Sequence, residues 1–308
     1  MYGELLTTFR GRPVVEAEGP DDWQGPSRAY RLRTDWDDTT NFDERLGQFL
    51  DAHAESLEAL IVGCWADACE GGGPEAVIEA LRRHAPRLAA LRHLFCGEIT
   101  YEECELSWIV QTDYGPLLES LPSLETLRVR GGTSLSFSPV RHEGLRELAI
   151  ETGGLSRDVI RQVQRLELPN LESLEILLGE ENYGFDAEPD DFVPLLSGEL
   201  HPKLRRLGLM NATIANDLAA LVVNSPIVSQ IEVLDLSMGT LDDQGAAALT
   251  GLPSGTALKT INLSHHYVTD EALAKLRSSP VLSKVEVIAE DGQLGEAEDD
   301  WRPILHAE

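Results

Sequence analysis

A chain of 308 residues with 42% hydrophobic side chains spread along its length can build a substantial core, so a wholly disordered polypeptide is excluded. Its 53 acidic residues against 25 lysines and arginines leave a formal net charge of −28, the wrong sign for neutralising phosphates. Nucleic acid and anionic membrane surfaces are therefore not expected partners, whereas a basic protein would be attracted.

The opening residues, MYGELLTTFRGRPVVEAEGPDDW, contain no basic start followed by an apolar run, and no stretch of the chain nears the roughly 18 apolar residues of a membrane span. A cytoplasmic location is expected, with Cys64, Cys69, Cys96 and Cys104 as free thiols. Residues 4–18 read as two short strands around Gly11-Arg12-Pro13, and Tyr30 with Leu32 as an incomplete first strand. An amphipathic stretch near 43–55 completes an expected N-terminal cap over 1–54.

A repeat then begins. The spacing L-x-x-L-x-L, with Ile, Val or Cys as substitutes, occurs nine times, its middle position falling at Leu60, Leu94, Leu127, Leu148, Leu174, Leu207, Leu234, Ile261 and Val285. Successive middles are 34, 33, 21, 26, 33, 27, 27 and 24 residues apart. In a strand the fourth and sixth positions share one face, so each unit offers an apolar edge that only its neighbours can cover. Helical periodicity follows several strands, near 75–84, 156–166, 190–197, 215–223, 241–249 and 268–276, with acidic first turns in the last two and Thr269 as the expected N-cap of the final one.

IEVLDLS (231–237) followed by LDDQGAAAL, and LKTINLS (258–264) followed by VTDEALAKL, resemble ribonuclease-inhibitor-type leucine-rich repeats. The likeness covers roughly 55–290, and the whole chain resembles an uncharacterised bacterial leucine-rich-repeat family. It implies an α/β solenoid, a horseshoe or arc with a concave parallel sheet and convex helices, over 55–290, followed by an acidic C-terminal cap or tail over 291–308. Trp301, Ile304 and Leu305 are expected to fold back over the last unit. The Asn or Cys usual at the ninth position of such repeats is absent, so the turns after the strands must satisfy their backbone groups in another way.

The long intervals place insertions at 97–114 and 179–192, both mixing acids with aromatics. Alternation sets Ile61, Phe95, Arg128, Ala149, Glu175, Gly208, Asp235, Asn262 and Glu286 in an outward row running from apolar to acidic. With Tyr101, Trp108, Tyr183 and Phe185 of the insertions, this row is the expected contact surface for a protein partner, one with a basic patch. Chemistry is sparsely encoded. The cysteine pairs lack C-x-x-C spacing, Gly71-Gly72-Gly73-Pro74 lacks a phosphate-loop Lys, His265-His266 sit in an ordinary turn, and no nucleophile elbow, zinc helix or calcium loop occurs. No cofactor and no metal are expected. The reading is an interaction module, an adaptor or inhibitor. The alternative is an enzyme or its accessory subunit, with Glu102, Glu103, Glu105 and Asp113 set against Tyr183 or the acids of 186–191.

Overall fold

The computed structural model of the chain describes residues 4–34, 41–65, 67–294 and 302–306. These form two compact units, Met1–Glu151 with Arg165–Leu168, and Thr152–Gln164 with Pro169–Glu308. No helix among the described residues is long and apolar enough to cross a membrane.

The first unit opens with an antiparallel hairpin of β1 (Thr8–Phe9) and β2 (Arg12–Glu16), turned at Arg10-Gly11. Parallel strands follow in chain order: β3 (Ala29–Leu32), β4 (Ala59–Val62), β5 (His93–Cys96), β6 (Thr126–Arg130) and β7 (Glu147–Glu151). Tyr30, Leu60, Leu94, Leu127 and Leu148 are aligned across them, so the middle positions of the repeat are one ladder. A one-residue slip would turn every one of these side chains to the other face, which is why the apolar pattern fixes the register. The crossovers carry α1 (Phe42–His53), α2 (Glu75–His84) and α3 (Gly115–Ser120). The third lies outside the periodic stretches of the sequence, because its six residues bury only Leu117 and Leu118 besides Gly115. The 21-residue interval between Leu127 and Leu148 leaves no room for a helix, and Phe137 fills the space against Tyr114, ring centres 5.9 Å apart.

In the second unit β8 (Ser173–Gly179), β9 (Arg206–Ala212), β10 (Val233–Asp235), β11 (Thr260–Asn262) and β12 (Glu286–Ile288) are parallel neighbours in that order. Between and around them run α4 (Arg157–Arg165), α5 (Val193–Leu196), α6 (Ala215–Val223), α7 (Asp243–Leu249) and α8 (Asp270–Arg277). The Thr269 hydroxyl caps α8 by accepting from Ala272 N–H at 3.2 Å.

One expectation is corrected at the last strand. Ile261 pairs with Val287, not Val285, so the outward residue beside Asn262 is Ile288, and Glu286 stands level with Thr260. Backbone geometry shows the same frame: Asn211, Met238, His265 and Asp291 all have positive φ, and each lies four residues past its strand's middle position when Val287 is that position. The sequence frame slipped because Leu282 closes a 3₁₀ turn rather than opening the repeat.

The turns do without an asparagine ladder. Asn211 N–H donates to Ser237 O, Met238 N–H to Ser264 O and His265 N–H to Glu290 O, each at 2.8 Å, so the left-handed residues continue the sheet's hydrogen bonding past the strand ends. In the first unit side chains do this locally: Gln111 Nε2 donates to Arg130 O at 2.6 Å, and Tyr114 hydroxyl to Gln111 Oε1 at 2.7 Å. At Gly179 a Cβ would stand 1.8 Å from Gly153 O, so these two turns can meet only through glycine.

Ile304 is buried, Leu305 N–H donates to Met238 O at 2.9 Å, and Asn211 exchanges hydrogen bonds with the backbone of His306. Tyr267 hydroxyl donates to Pro303 O at 2.7 Å. The short C-terminal segment thus covers the turns after β9 to β11, although the Leu305 side chain is exposed rather than folded in. Trp301 lies outside the described residues.

Candidate interaction surface

Alternation along β4 and β5 turns Leu60, Val62, Leu94 and Cys96 to one face and Ile61 and Phe95 to the other. That other face was expected to be open. Instead Ile61 and Phe95 are fully buried, packed with Ala29, Ala59 and Phe9, while Leu6 and Val14 close the margin. The N-terminal hairpin lies over them. The Phe9 ring is tilted against Phe95 with centres 6.2 Å apart and meets His93 edge-on at 6.4 Å.

Polar contacts hold the hairpin at both ends. Leu6 N–H donates to Glu98 Oε1 at 2.7 Å, and Leu6 O accepts from Arg31 Nη2 at 2.6 Å. Arg31 and Glu98 are themselves a buried, two-point pair, with Glu16 a second carboxylate on Arg31 at 3.1 Å. Burial pulls the Arg31 pKa down, and the hydrogen bond and charge of Glu98 more than reverse it, so the guanidinium stays firmly charged. At the hairpin tip Arg10 pairs with Glu147 and Arg12 with Glu58.

Arg128, expected as a contact residue in the outward row, is engaged within the chain. Its guanidinium stands 4.7 Å from the Phe95 ring centre, that of Arg130 5.3 Å, and both bind Glu151. Burial would raise the Glu151 pKa, but the two arginines hold it below the usual carboxylate value.

His93 makes this assembly sensitive to acid. Burial, then the charges of Arg12 and Arg10, push its pKa down to about 4 from 6.5; Arg92 adds to this and Glu58 opposes it. Between those values the unfolded chain takes up a proton that the folded one refuses, so stability is lost as pH falls from 6.5 towards 4. Thermal melts at pH 7 and 4.5 should show a loss that shrinks in a His93→Gln variant; equal losses in both proteins would remove His93 from the explanation.

The insertion at 97–114 is pinned rather than loose. Ile99, Leu106, Ile109 and Tyr114 are buried beneath it, Glu103 accepts from Thr100 N–H at 2.8 Å and from Arg33 Nη2 at 2.7 Å, and Thr133 hydroxyl donates to Ser107 O at 2.9 Å. From this braced loop Tyr101 and Trp108 project, 55% and 61% exposed. Of its acids, Asp113 is tied to Ser138, Glu103 to Arg33, while Glu102 is exposed.

Cys69 Sγ–H reaches Glu103 O at 3.0 Å and lies against the thiols of Cys64 and Cys104. Burial pushes the Cys64, Cys69 and Cys96 pKa values up to about 12, so thiolates are scarce and these side chains act as packing groups. Among the described residues no group of three or more His, Cys, Asp or Glu is arranged to hold a metal ion.

In the second unit the outward residues are linked to one another. Arg206 bridges Glu175 and, at 3.5 Å, Asp235; Asn262 Nδ2 donates to the same Asp235 carboxylate at 3.0 Å. Asp235 Oδ1 also accepts from Ser237 N–H and hydroxyl, and Asn262 Oδ1 from Ser264 N–H, so the repeated D/N-L-S closes each strand with a side-chain turn. Asp235 is buried as a result, whereas Glu175 and Asn262 are partly accessible. In the second insertion Tyr183 is half-buried and Phe185 buried. Its acids are used locally: Asp186 accepts from Arg157 N–H at 2.6 Å, and Asp191 pairs with Arg157 and Arg161 at 3.0 and 2.9 Å. His266 accepts from Val268 N–H, and burial lowers the pKa of both His265 and His266, keeping them neutral.

Of the expected contact residues, then, Ile61, Phe95, Phe185 and Asp235 are covered and Glu286 leaves the row, while Tyr101 and Trp108 stand free of cover. The residues that close the face, Phe9, Arg10, Arg12 and Glu98, had one signal in the sequence: two adjacent outward positions, Ile61 and Phe95, are large and apolar, and such a pair needs a lid.

No family model and no curated protein sequence matches the chain. Among solved structures it is similar to a crystal structure of a Bacteroides fragilis protein, 29% identical, with a TM-score of 0.76 over 90% of this chain and 76% of that one. A leucine-rich-repeat domain, that of APL1, aligns at 11% identity and a TM-score of 0.32 over 86% of this chain and 78% of that one. With its repeat middles in register within each unit and helices in the crossovers, the chain is a leucine-rich-repeat solenoid.

Proposed function

We propose that the protein is an interaction module, non-catalytic and cytoplasmic, that binds a protein partner with a basic surface. The observation that carries this is the pair of aromatic side chains, Tyr101 and Trp108, held in solvent by a loop whose backbone is already fixed. Large side chains on a rigid support give up little entropy on binding, and Trp and Tyr are the residues most often found as energetic anchors. Glu102 beside them and the net charge of −28 favour a basic partner and a salt-dependent association rate. The ribonuclease-inhibitor-like subclass of the repeat rests on the two regular units at 231–249 and 258–276.

The test is affinity capture from native cells with the wild-type chain and with Tyr101→Ala/Trp108→Ala. A specific protein should be recovered by the first, lost from the second, and bound more slowly at high salt. Recovery of the same proteins by both would sink this surface, and an acidic captured protein would refute the electrostatic part.

A further inference from the structure

The hairpin shows which chemistry the face beneath it accepts. Phe9 fills an apolar site made by Ala29, Ala59, Ile61 and Phe95; the two arginines on either side of Gly11 reach carboxylates on different strands, Arg10 to Glu147 and Arg12 to Glu58; and both peptide groups of Leu6 are read by the Arg31–Glu98 pair. We propose that this face of β3 to β7 is a receptor for an aromatic-basic hairpin turn of the form Phe-Arg-Gly-Arg, kept filled by the chain's own residues 6–12. A partner carrying such a segment binds by displacing them.

The way the hairpin is attached supports displacement. Only Val14, Val15 and Glu16 pair with β3; residues before them are joined to the unit through side chains and the two Leu6 hydrogen bonds, not through a strand ladder. The two tip ion pairs are partly exposed, Arg10 by 41% of its side chain, and such pairs contribute little and weaken in salt. The turn is also not optimised for holding itself shut. Arg10 has φ of 51° and Gly11 of 75°, a pair of left-handed positions where Asn-Gly or Gly-Gly would fit without penalty. An arginine stands at the strained position, and its side chain is the one that reaches Glu147. Arg128 and Arg130 beside Phe95 are paired with Glu151 and Arg31 with Glu98, so the carboxylates that meet the hairpin's arginines are Glu58 and Glu147, which suits a basic occupant. The inference rests on the protein-binding reading, yet uses a surface separate from the Tyr101/Trp108 loop.

The experiment uses the full chain and a labelled synthetic peptide of residues 4–16, ELLTTFRGRPVVE. Wild type should bind it weakly, because the site is filled. A Phe9→Ser/Arg10→Glu/Arg12→Glu variant should bind it at least about tenfold tighter, and adding Glu147→Lys and Glu58→Lys should abolish the gain. Hydrogen exchange on unmodified wild type supplies a second arm that needs no variant to fold. Amides of residues 4–12 should exchange at least about a hundredfold faster than those of β4 to β6, and the peptide in excess should speed them further. Exchange of 4–12 only together with β4 to β6, or a cooperatively melting triple variant that binds the peptide no better than wild type, overturns the proposal. Capture through Tyr101 and Trp108 can fail while the peptide still binds, so the two readings fall separately.

Discussion

Phe95→Ala is expected to lower the unfolding free energy by about 3–5 kcal/mol, the range for removing a fully buried phenylalanine whose neighbours cannot collapse into the space. The ring is inaccessible, and each neighbour is tethered elsewhere: Ile61 by β4, Phe9 by the hairpin, Arg128 and Arg130 by Glu151. Backbone pairing on both sides of β5 limits relaxation further. Removing the ring also deletes two guanidinium contacts, at 4.7 and 5.3 Å, and leaves Phe9 without its main partner. Two measurements should therefore move together: the urea midpoint falls, and amides of residues 4–12 lose protection. Glu175→Ala provides the contrast in the second unit, since its partly exposed pair with Arg206 contributes at most about 1 kcal/mol. A Phe95→Ala protein within about 1 kcal/mol of wild type would show that the hairpin does not pack on this face as described.

The contrast also shows what a repeat pattern can and cannot transmit. Register was legible wherever the spacing was regular, because one apolar residue per strand in the middle position suffices to set all the others by alternation. It failed at β12, where Leu282 mimics the first position but closes a 3₁₀ turn, and the true frame appears only in the left-handed Asp291. Caps such as Thr269 are local and were legible for that reason. The cover over Ile61 and Phe95 is not local: Leu6 meets Glu98 across 92 residues, and Arg10 meets Glu147 across 137. Outward positions tell which way a side chain points, not what lies on it. The same limit explains Asp235 and Arg128, which alternation places in the outward row but which Arg206, Asn262 and Glu151 engage within the fold.

The second large effect is expected at Glu98, and it separates charge pairing from packing. Glu98→Gln preserves volume but leaves Arg31 charged and buried, with the half-exposed Glu16 as its remaining carboxylate partner among the described residues. Breaking one side of a buried pair costs about 3–5 kcal/mol, most of it the penalty of the stranded charge. The double variant Arg31→Met/Glu98→Leu removes both charges and should recover part of that loss, since an apolar pair of similar volume can replace a buried ion pair. Recovery should stay incomplete for a reason specific to this site. The pair also binds the N–H and C=O of Leu6, and each buried peptide group left without a partner costs about 1–3 kcal/mol. The residual deficit in the double variant therefore measures how strongly the pair holds the hairpin, as distinct from how strongly its members hold each other. Urea denaturation of the wild type, Arg31→Met, Glu98→Leu and the double closes the cycle, with Glu98→Gln as the volume-preserving reference. A Glu98→Gln loss under about 1 kcal/mol would mean that water reaches Arg31, and a fully recovered double variant would mean that Leu6 finds other partners once the clamp is gone.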